Sequence, residues 1–263
     1  MDLKLTGKTA LVTGSTAGIG LEIARRLAVE GAKTLITGRS QKKLDEALAS
    51  IRASGGKQVS GVVADAGTAD GAKTVLKAVG QADILVNNLG IYEPKAFTDI
   101  TDEDWMSMFE VNVLSGVRLA RGLMPGMLER DWGRIIFISS ESGLNTPVEM
   151  IHYGTTKTAQ LAVSGGLANL AQGTGVTVNS VLPGPTRAEA ILDFLRNALN
   201  MPNASEAELE AEFFKRGRPT SLIQRMLDPK EIADLVAFVA SPLSSGTTGS
   251  ALRVEGGIVQ TLA

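Results

Sequence analysis

Short apolar runs alternate with amphipathic stretches along most of this chain. The first run, residues 9–13, is apolar and β-branched, which is typical of a strand buried on both faces of a parallel sheet. Glycines follow at once, and a stretch with helical periodicity comes next. Its apolar face consists of Ile23, Ala24, Leu27 and Ala28. The pattern therefore predicts a strand, a turn and a helix in succession.

The same unit recurs along the chain. Further strands are predicted at residues 34–37, 58–64, 84–87, 134–139, 177–182 and 251–254. Helices are predicted between them, at residues 41–53, 69–79, 102–123, 153–172 and 229–240. This alternation predicts an α/β fold in three layers, with a doubly wound parallel sheet of about seven strands, the Rossmann fold. No linker rich in proline, glycine or serine divides the chain and no internal repeat is visible, so we expect residues 1–263 to form one domain.

One segment, residues 186–228, interrupts this rhythm. In it, alternating glutamates are followed by basic residues: Glu206, Glu208, Glu210, Glu212, Lys215, Arg216 and Arg218. Such charges are compatible with a solvated helical excursion. The segment also leaves the carboxyl end of the sixth predicted strand, the edge at which open α/β sheets bind ligands. A mobile lid over a substrate is therefore the second interpretation.

Composition narrows the classes of function. Hydrophobic residues make up 44% of the 263 positions and charged residues 21%, which excludes a disordered or collagen-like chain. The formal net charge of −2 offers no basic surface for nucleic acid or an anionic membrane, so small molecules and copies of itself are the expected partners. With no cysteine and one histidine, the chain has no disulfide framework and no zinc–cysteine or multi-histidine site, and we expect no bound metal. The first residues lack a basic stretch before an apolar one, and no run of about 18 apolar residues occurs, which favours a cytoplasmic protein.

Glycine is the most unusual feature of the composition, with 29 residues, and three of them lie in one turn. The sequence TGSTAGIG, residues 13–20, places Gly14, Gly18 and Gly20 between the first strand and the first helix. Glycines there allow a tight turn and let phosphate oxygens approach backbone N–H groups at a helix N-terminus. The spacing G-x-x-x-G-x-G is a variant of the dinucleotide fingerprint. Glycines in a turn often serve only the conformation of the turn, but their position here, between a strand and a helix, favours dinucleotide binding.

Tyr153 and Lys157 lie four residues apart in a predicted helix, so their side chains share one face. A nearby ammonium stabilises phenolate, and a pKa lowered by about three units would make tyrosine usable as a general acid or base. As an isolated pattern, the pair is more typical of an exposed helix surface. Ser140 follows the fifth predicted strand, where its hydroxyl could bond a substrate carbonyl. Ser139 and Ser142 are rivals, and all three serines could equally satisfy backbone groups in a turn.

Four motifs occur together, in an order that extends over nearly the whole chain: TGSTAGIG, NNLG at residues 87–90, Ser140, and YGTTK at residues 153–157. With them, the chain resembles the classical short-chain dehydrogenase/reductase family. The resemblance implies that Ser140 polarises a substrate oxygen, that Tyr153 exchanges a proton with it, and that Lys157 tunes Tyr153 and binds the nicotinamide ribose. It also implies that Asn112 helps to hold a water in a proton relay, although an amide in an apolar helix is usually a satisfied core residue.

The resemblance implies a nicotinamide cofactor, and Arg39 indicates which one. Arg39 follows the second predicted strand, where no acidic residue is present to hold a ribose 2′-hydroxyl, and its guanidinium can pair with a 2′-phosphate. The glycine turn offers no second basic residue; NADP is expected and NAD is the alternative. Family positions assign cofactor contacts to Gly14, Ser15, Thr16, Gly18, Ile19, Gly20, Arg39, Asp65, Ala66, Asn88, Gly90, Tyr153, Lys157, Pro183, Gly184 and Thr186.

The resemblance thus predicts an NADP(H)-dependent oxidoreductase that transfers a hydride between the nicotinamide and a carbonyl or secondary alcohol. Its moderately hydrophobic substrate is expected to contact Ser140, Tyr153, His152 and Leu144, in a pocket completed by Glu141, Met150 and residues 186–228. Two alternatives stay open: a catalytically silent nucleotide-binding regulatory protein, and an epimerase or dehydratase of the same family. The resemblance also implies a homotetramer assembled through the helices at residues 102–123 and around Tyr153.

Overall fold

The computed structural model describes residues 1–188, 192, 195–196 and 199–261. Its strands are β1 (Thr9–Val12), β2 (Lys33–Gly38), β3 (Val59–Val63), β4 (Ile84–Asn87), β5 (Gly133–Ile138), β6 (Val176–Pro183) and β7 (Ala251–Val254). They form one seven-stranded sheet in the order β3-β2-β1-β4-β5-β6-β7, and every neighbouring pair is parallel. β5 and β6 are buried along their whole length, including Arg134 of β5 and Thr177, Asn179 and Ser180 of β6, as expected for central strands covered on both faces. The predicted doubly wound parallel sheet is confirmed.

Helices connect the strands: α1 (Gly18–Val29), α2 (Gln41–Ala53), α3 (Ala69–Val79), α4 (Asp102–Phe109), α5 (Ser115–Glu129), α6 (Ile151–Leu170), α7 (Glu206–Gly217) and α8 (Pro229–Ala240). Capping side chains explain where some of them begin. Ser205 and Glu208 form a capping box at α7, and Asp228 and Glu231 form another at α8. Within the described residues, no helix has the length and apolar composition that a membrane crossing requires.

The helix predicted at residues 102–123 is not continuous. α4 passes into a π-helical turn, Glu110–Leu114, before α5 continues to Glu129. Such turns shift a helix by a single residue, so the apolar periodicity of the sequence does not reveal them. Asn112, one of the predicted catalytic residues, lies in this turn.

Both faces of the sheet are covered, which gives the predicted three layers. On one face, α1, α2 and α8 bury Ile23, Leu44 and Ile232 in one apolar cluster. On the other face, α3 and α5 bury Val75 and Leu119, and α6 packs beside them. The carboxyl edge of the sheet is left as the place where connecting loops can form a site.

The 186–228 segment is anchored at its base and has its own apolar cluster. The N–H of Arg187 donates to the Leu227 carbonyl oxygen at 2.8 Å, and the N–H of Leu227 donates to the Pro185 carbonyl oxygen at 2.9 Å. Within the segment, Leu209 and Phe214 of α7 are buried with Leu195 and Met226. α7 is therefore amphipathic rather than solvated all round. Residues 189–191, 193–194 and 197–198 of the predicted lid lie outside the described part of the chain.

Candidate active site

The segments that carry the predicted site residues meet at one edge of the sheet. The glycine turn follows β1, the loop containing Asn88 follows β4, Ser140 follows β5 and Gly184 follows β6. These four strands are adjacent and parallel, so their carboxyl ends lie together. The chain runs outward from β1 to β3 and then returns to β4 on the other side of β1. Open α/β sheets bind ligands at such a reversal of strand order.

The glycine turn keeps a shape that side chains would prevent. Gly14 and Gly18 have φ values of +59° and +55°, in the left-handed region. A Cβ on Gly20 would lie 2.4 Å from the Gly14 carbonyl oxygen and 2.4 Å from Asn88 Nδ2. Asn88 Nδ2 donates to the carbonyl oxygens of Thr13 and Gly14, each at 3.0 Å. The turn and the loop after β4 are therefore fixed against each other.

Ser15, a predicted cofactor contact, uses its donors inside the protein. Its buried hydroxyl donates to the Val12 carbonyl oxygen at 2.7 Å and accepts from the N–H of Thr37 at 3.0 Å. Its own N–H donates to the Thr37 carbonyl oxygen at 3.2 Å. This position favours a role in attaching the turn to β2.

The other residues of the turn leave room and donors for an anion. Ala17 is the N-cap of α1, and no side chain caps the first turn, which begins at Gly18 with Ile19 and Gly20. Apart from the adjoining backbone, no atom of the described residues lies within 4 Å of the place where a Cβ of Gly18 would be.

Arg39 lies beside this turn. The Thr16 side chain packs on Gly38, where a Cβ would lie 2.4 Å from Thr16 Cγ2. The next residue, Arg39, is exposed and makes no hydrogen bond or ion pair with another residue of the described ranges. Its guanidinium is therefore available to an external anion.

Two further predicted contacts lie after β3 and one after β4. Asp65 is exposed, and its Oδ1 accepts from the N–H of Gly67 at 3.1 Å, while Ala66 is buried. Gly90 lies against the predicted catalytic residues, because a Cβ there would be 3.4 Å from Asn112 Oδ1 and 3.5 Å from Lys157 Nζ.

The predicted cofactor contacts Pro183, Gly184 and Thr186 lie at and after the end of β6. Pro183 ends this strand, and a Cβ on Gly184 would lie 2.7 Å from the Glu255 carbonyl oxygen. The Thr186 hydroxyl donates to the Gly184 carbonyl oxygen at 2.8 Å. Thr186 therefore stabilises its own turn in this structure, and its hydroxyl oxygen keeps the capacity to accept a hydrogen bond.

Ser140, Tyr153 and Lys157 come together at the end of β5. The Ser140 hydroxyl lies within hydrogen-bonding reach of the Tyr153 hydroxyl. Lys157 Nζ lies 5.5 Å from the centroid of the Tyr153 ring. It donates to the Ile138 carbonyl oxygen at 2.9 Å and to Gln160 Oε1 at 3.3 Å.

The structure separates Ser140 from its two rivals. The Ser139 hydroxyl donates to the Lys157 carbonyl oxygen at 2.8 Å, and the Ser142 hydroxyl donates to Glu141 Oε2 at 2.6 Å. Ser140 Oγ accepts from the N–H of Ser142 at 3.1 Å, which fixes its position and leaves its proton free for Tyr153 or a ligand. Among the three serines, Ser140 alone faces Tyr153.

The pKa values of Tyr153 and Lys157 differ from the sequence-based expectation. Burial raises the pKa of Tyr153 to about 12, against the opposing effect of the Ser140 hydrogen bond. Burial also lowers the pKa of Lys157 to about 7. The lysine does not lower the tyrosine pKa here because its nitrogen is directed to Ile138 and Gln160, and because a buried phenolate is poorly solvated. At neutral pH, Tyr153 therefore holds its proton.

Asn112 is buried and fully hydrogen-bonded. Its Oδ1 accepts from the N–H of Ile91 at 2.8 Å, and its Nδ2 donates to the Ile91 carbonyl oxygen at 2.9 Å and to Thr156 Oγ1 at 3.0 Å. Its backbone carbonyl oxygen accepts from Gln160 Nε2 at 2.6 Å. The side chain thus joins the loop after β4 to α6.

His152 and Leu144, the remaining predicted substrate contacts, differ in position. The His152 ring is fully buried, lies 6.0 Å from the Trp105 ring, and neither ring nitrogen has a hydrogen-bond partner among the described residues. This favours packing between α6 and α4 over substrate contact. Leu144 follows the Ser140 turn and is 44% exposed, as expected for a residue near an opening.

Three residues near the site were not among the contacts predicted from the sequence. The Tyr92 ring lies 6.2 Å from the Tyr153 ring and is half exposed. Arg218, in the 186–228 segment, donates from Nε to buried Glu141 Oε1 at 3.2 Å. Gln160 bonds both Lys157 and Asn112. A polar residue at a buried helical position is the signal that could have indicated Gln160, whereas Arg218 is one of several charges in its segment.

Known proteins resemble this chain in sequence and in fold. The short chain dehydrogenase family model matches residues 8–196. The chain is 48% identical to an uncharacterised oxidoreductase of Bacillus subtilis, YvaG, over 100% of both chains. It is 31% identical to the 3-oxoacyl-[acyl-carrier-protein] reductase FabG of Aquifex aeolicus, over 98% of this chain and 100% of that one.

A solved structure extends the likeness to three dimensions. L-sorbose reductase from Gluconobacter frateurii, complexed with NADPH and L-sorbose, matches with a TM-score of 0.92 and 32% identity, covering 100% of both chains. This chain therefore belongs to the short-chain dehydrogenase family and is an oxidoreductase.

Proposed function

We propose that this protein is an NADPH-dependent reductase that converts a carbonyl group to a secondary alcohol. One observation carries the proposal: the Ser140 and Tyr153 hydroxyls lie within hydrogen-bonding reach of each other, with Lys157 Nζ 5.5 Å from the Tyr153 ring. Two hydroxyl donors that converge on one point suit a carbonyl oxygen on which negative charge develops.

The residues at the carboxyl edge of the sheet fit a dinucleotide that carries a 2′-phosphate. The uncapped N-terminus of α1 and the open space at Gly18 would hold the pyrophosphate, and exposed Arg39 would pair with the 2′-phosphate. Gly90 and Lys157 would lie on the ribose side. Bound NADPH would supply a hydride. L-sorbose reductase, which is complexed with NADPH, supports the choice of NADP over NAD.

Tyr153 would be the proton donor. Its pKa, raised to about 12 by burial, keeps the hydroxyl protonated at neutral pH, as reduction of a carbonyl requires. Ser140 would donate the second hydrogen bond to the substrate oxygen, and protonated Lys157 would stabilise the phenolate that remains. The reverse oxidation needs the phenolate from the outset, so we expect oxidation to speed up with rising pH.

The substrate would be a carbonyl compound that carries hydroxyl groups. The sequence favours a moderately hydrophobic compound, but the Glu141–Arg218 ion pair, with side chains only 5% and 13% exposed, lies next to Ser140 and suits a more polar substrate. Carboxylate and guanidinium groups form hydrogen bonds with the hydroxyls of a substrate, which an alkyl chain cannot form. The L-sorbose found with the matching reductase is a compound of this class.

NADPH consumption, followed by its absorbance, tests both the reaction and the substrate class. We expect turnover with L-sorbose and related ketoses, and slower turnover with a 3-oxoacyl thioester, the kind of substrate named for FabG. NADPH binding without consumption across a broad carbonyl panel would favour the silent regulatory protein. A changed product with no net NADPH consumption would favour the epimerase or dehydratase.

A homotetramer is part of the proposal. On α6, no atom of the described part of the chain other than the helix's own backbone lies within 4 Å of the positions where a Cβ of Gly165 or Gly166 would be, and Leu170 is 67% exposed. Small residues let a second helix approach closely, so this side of α6 suits contact with another copy. Light scattering should give about four times the mass of one chain, and a monomer at micromolar concentration would contradict the assembly.

A further inference from the structure

Gln160 is a buried polar residue with both ends of its amide engaged. It lies on α6, three residues after Lys157, and only 2% of its surface is exposed. Its Oε1 accepts from Lys157 Nζ at 3.3 Å, and its Nε2 donates to the Asn112 carbonyl oxygen at 2.6 Å. Burying an amide costs free energy unless its groups are hydrogen-bonded, and here both are. The side chain therefore bridges the lysine and the π-helical turn.

The partner at the far end of the bridge is itself fixed. The π-helical turn Glu110–Leu114 widens the helix at Asn112, where the N–H of Ser115 bonds the Glu110 carbonyl oxygen. Asn112 is also clamped by Ile91 and Thr156 through its side chain. Gln160 thus connects Lys157 to a turn whose position is fixed by several hydrogen bonds.

We propose that Gln160 is a positioning residue that acts through Lys157: it holds the lysine nitrogen near Tyr153 by linking it to the Asn112 carbonyl oxygen. The inference rests on the proposed function and adds a residue to it. A neutral amide holds an ammonium but does not readily pass on a proton. The connection from Lys157 to Asn112 is therefore a fixed support rather than a path for protons.

Few charged groups compete for Lys157. The described titratable groups that face this cluster are Tyr153 on α6, Glu141 from the turn after β5 and Tyr92 from the loop after β4, and Glu141 is paired with Arg218. None of them is hydrogen-bonded to Lys157 Nζ, whose acceptors among the described residues are the Ile138 carbonyl oxygen and Gln160 Oε1. Removing Oε1 therefore takes away one of two acceptors and destabilises the ammonium form.

NMR titration of the free protein with isotope-labelled lysine tests this support directly. Lys157→Arg identifies the Lys157 signal. Gln160→Met, which keeps the size but loses the acceptor, should lower the Lys157 pKa by about one unit, the effect of losing one hydrogen bond to a charged group. Gln160→Glu, which places a carboxylate beside the ammonium, should raise it. A merely structural role for Gln160 does not produce shifts of opposite sign.

Ser164→Ala is the matched control. Ser164 lies one turn further along the same buried side of α6, and its hydroxyl has no hydrogen-bond partner among the described residues. We expect this variant to leave the Lys157 titration unchanged. Thermal unfolding shows which variants are folded. If Gln160→Met does not fold, the Lys157 titration in Gln160→Glu alone decides the test. A Lys157 titration in the folded Gln160 variants that coincides with wild type would overturn the inference.

The pH profile of kcat/KM for reduction provides a second readout. Neutral Lys157 no longer stabilises the phenolate, so kcat/KM should fall as the pH rises above the Lys157 pKa. In Gln160→Met this fall in kcat/KM should occur about one pH unit lower. A wild-type protein that neither binds nor consumes NADPH would defeat the proposed function alone, since the NMR titration still decides the role of Gln160. Normal wild-type turnover with an unshifted limb in Gln160→Met would defeat the inference alone.

Discussion

Replacing Tyr153 by phenylalanine should lower kcat for NADPH-dependent carbonyl reduction by a factor of about 10² to 10⁴, the usual contribution of a positioned general acid. The change removes one hydroxyl and leaves the ring, which packs 6.2 Å from the ring of Tyr92. The fold and the cofactor cradle at the glycine turn should therefore survive. NADPH fluorescence should report near-normal binding, and single-turnover absorbance should report the slow chemical step.

The chain contains only one other tyrosine, and it supplies the control. Tyr92→Phe removes the same hydroxyl from the neighbouring, half-exposed ring. We expect it to retain most of the turnover. If Tyr153→Phe stayed within a few-fold of wild type, proton donation would have to come from another group and the proposed mechanism would fail.

Arg39→Ala should raise the KM for NADPH about ten- to a hundredfold and change the KM for NADH little. Arg39 is exposed after β2 and has no hydrogen bond or ion pair with another residue in the described ranges, so its loss removes no such interaction. A hydrogen-bonded pair with a charged group contributes about 1.5–3 kcal/mol, and about 1.4 kcal/mol corresponds to a factor of ten. Steady-state kinetics with both cofactors, at one ionic strength, measure the difference.

Lys33→Ala separates a local contact from a general effect of charge. Lys33 is exposed at the amino end of β2, whereas Arg39 follows the carboxyl end of the same strand. Both variants lose one positive charge, but only Arg39→Ala should raise the KM for NADPH more than the KM for NADH. Equal losses with both cofactors in Arg39→Ala would remove the basis for NADP.

Several elements could be placed from the sequence almost to the residue because local signals mark their ends. α2 and α3 have the predicted bounds, residues 41–53 and 69–79, since the Ser40 and Thr68 side chains cap their first turns. β4 also matches its prediction, because a short apolar run ends there at Asn87. The parallel direction of the strands follows from the repeated strand–helix unit, whereas their order is given by the structure.

The details of the site depend on contacts that sequence spacing does not show. Ser140 is distinguished from Ser139 and Ser142 by the partners that the other two hydroxyls find. Gln160 meets Asn112 across 48 positions of the chain. The raised pKa of Tyr153 reflects burial, a property of the folded protein that the four-residue spacing to Lys157 did not include.

The π-helical turn at Glu110–Leu114 amounts to a one-residue insertion in an otherwise regular helix. Deleting one residue there would turn the wide turn into regular α-helix, in which each interior carbonyl oxygen accepts from the N–H four residues on. The Asn112 carbonyl oxygen would then be taken up by the helix and leave Gln160, while Leu119 would keep its place against the sheet. The extra residue is therefore required by the site and not by the core: the chain can tolerate exchanges of side chain here, but a shorter segment would separate Asn112 from Gln160.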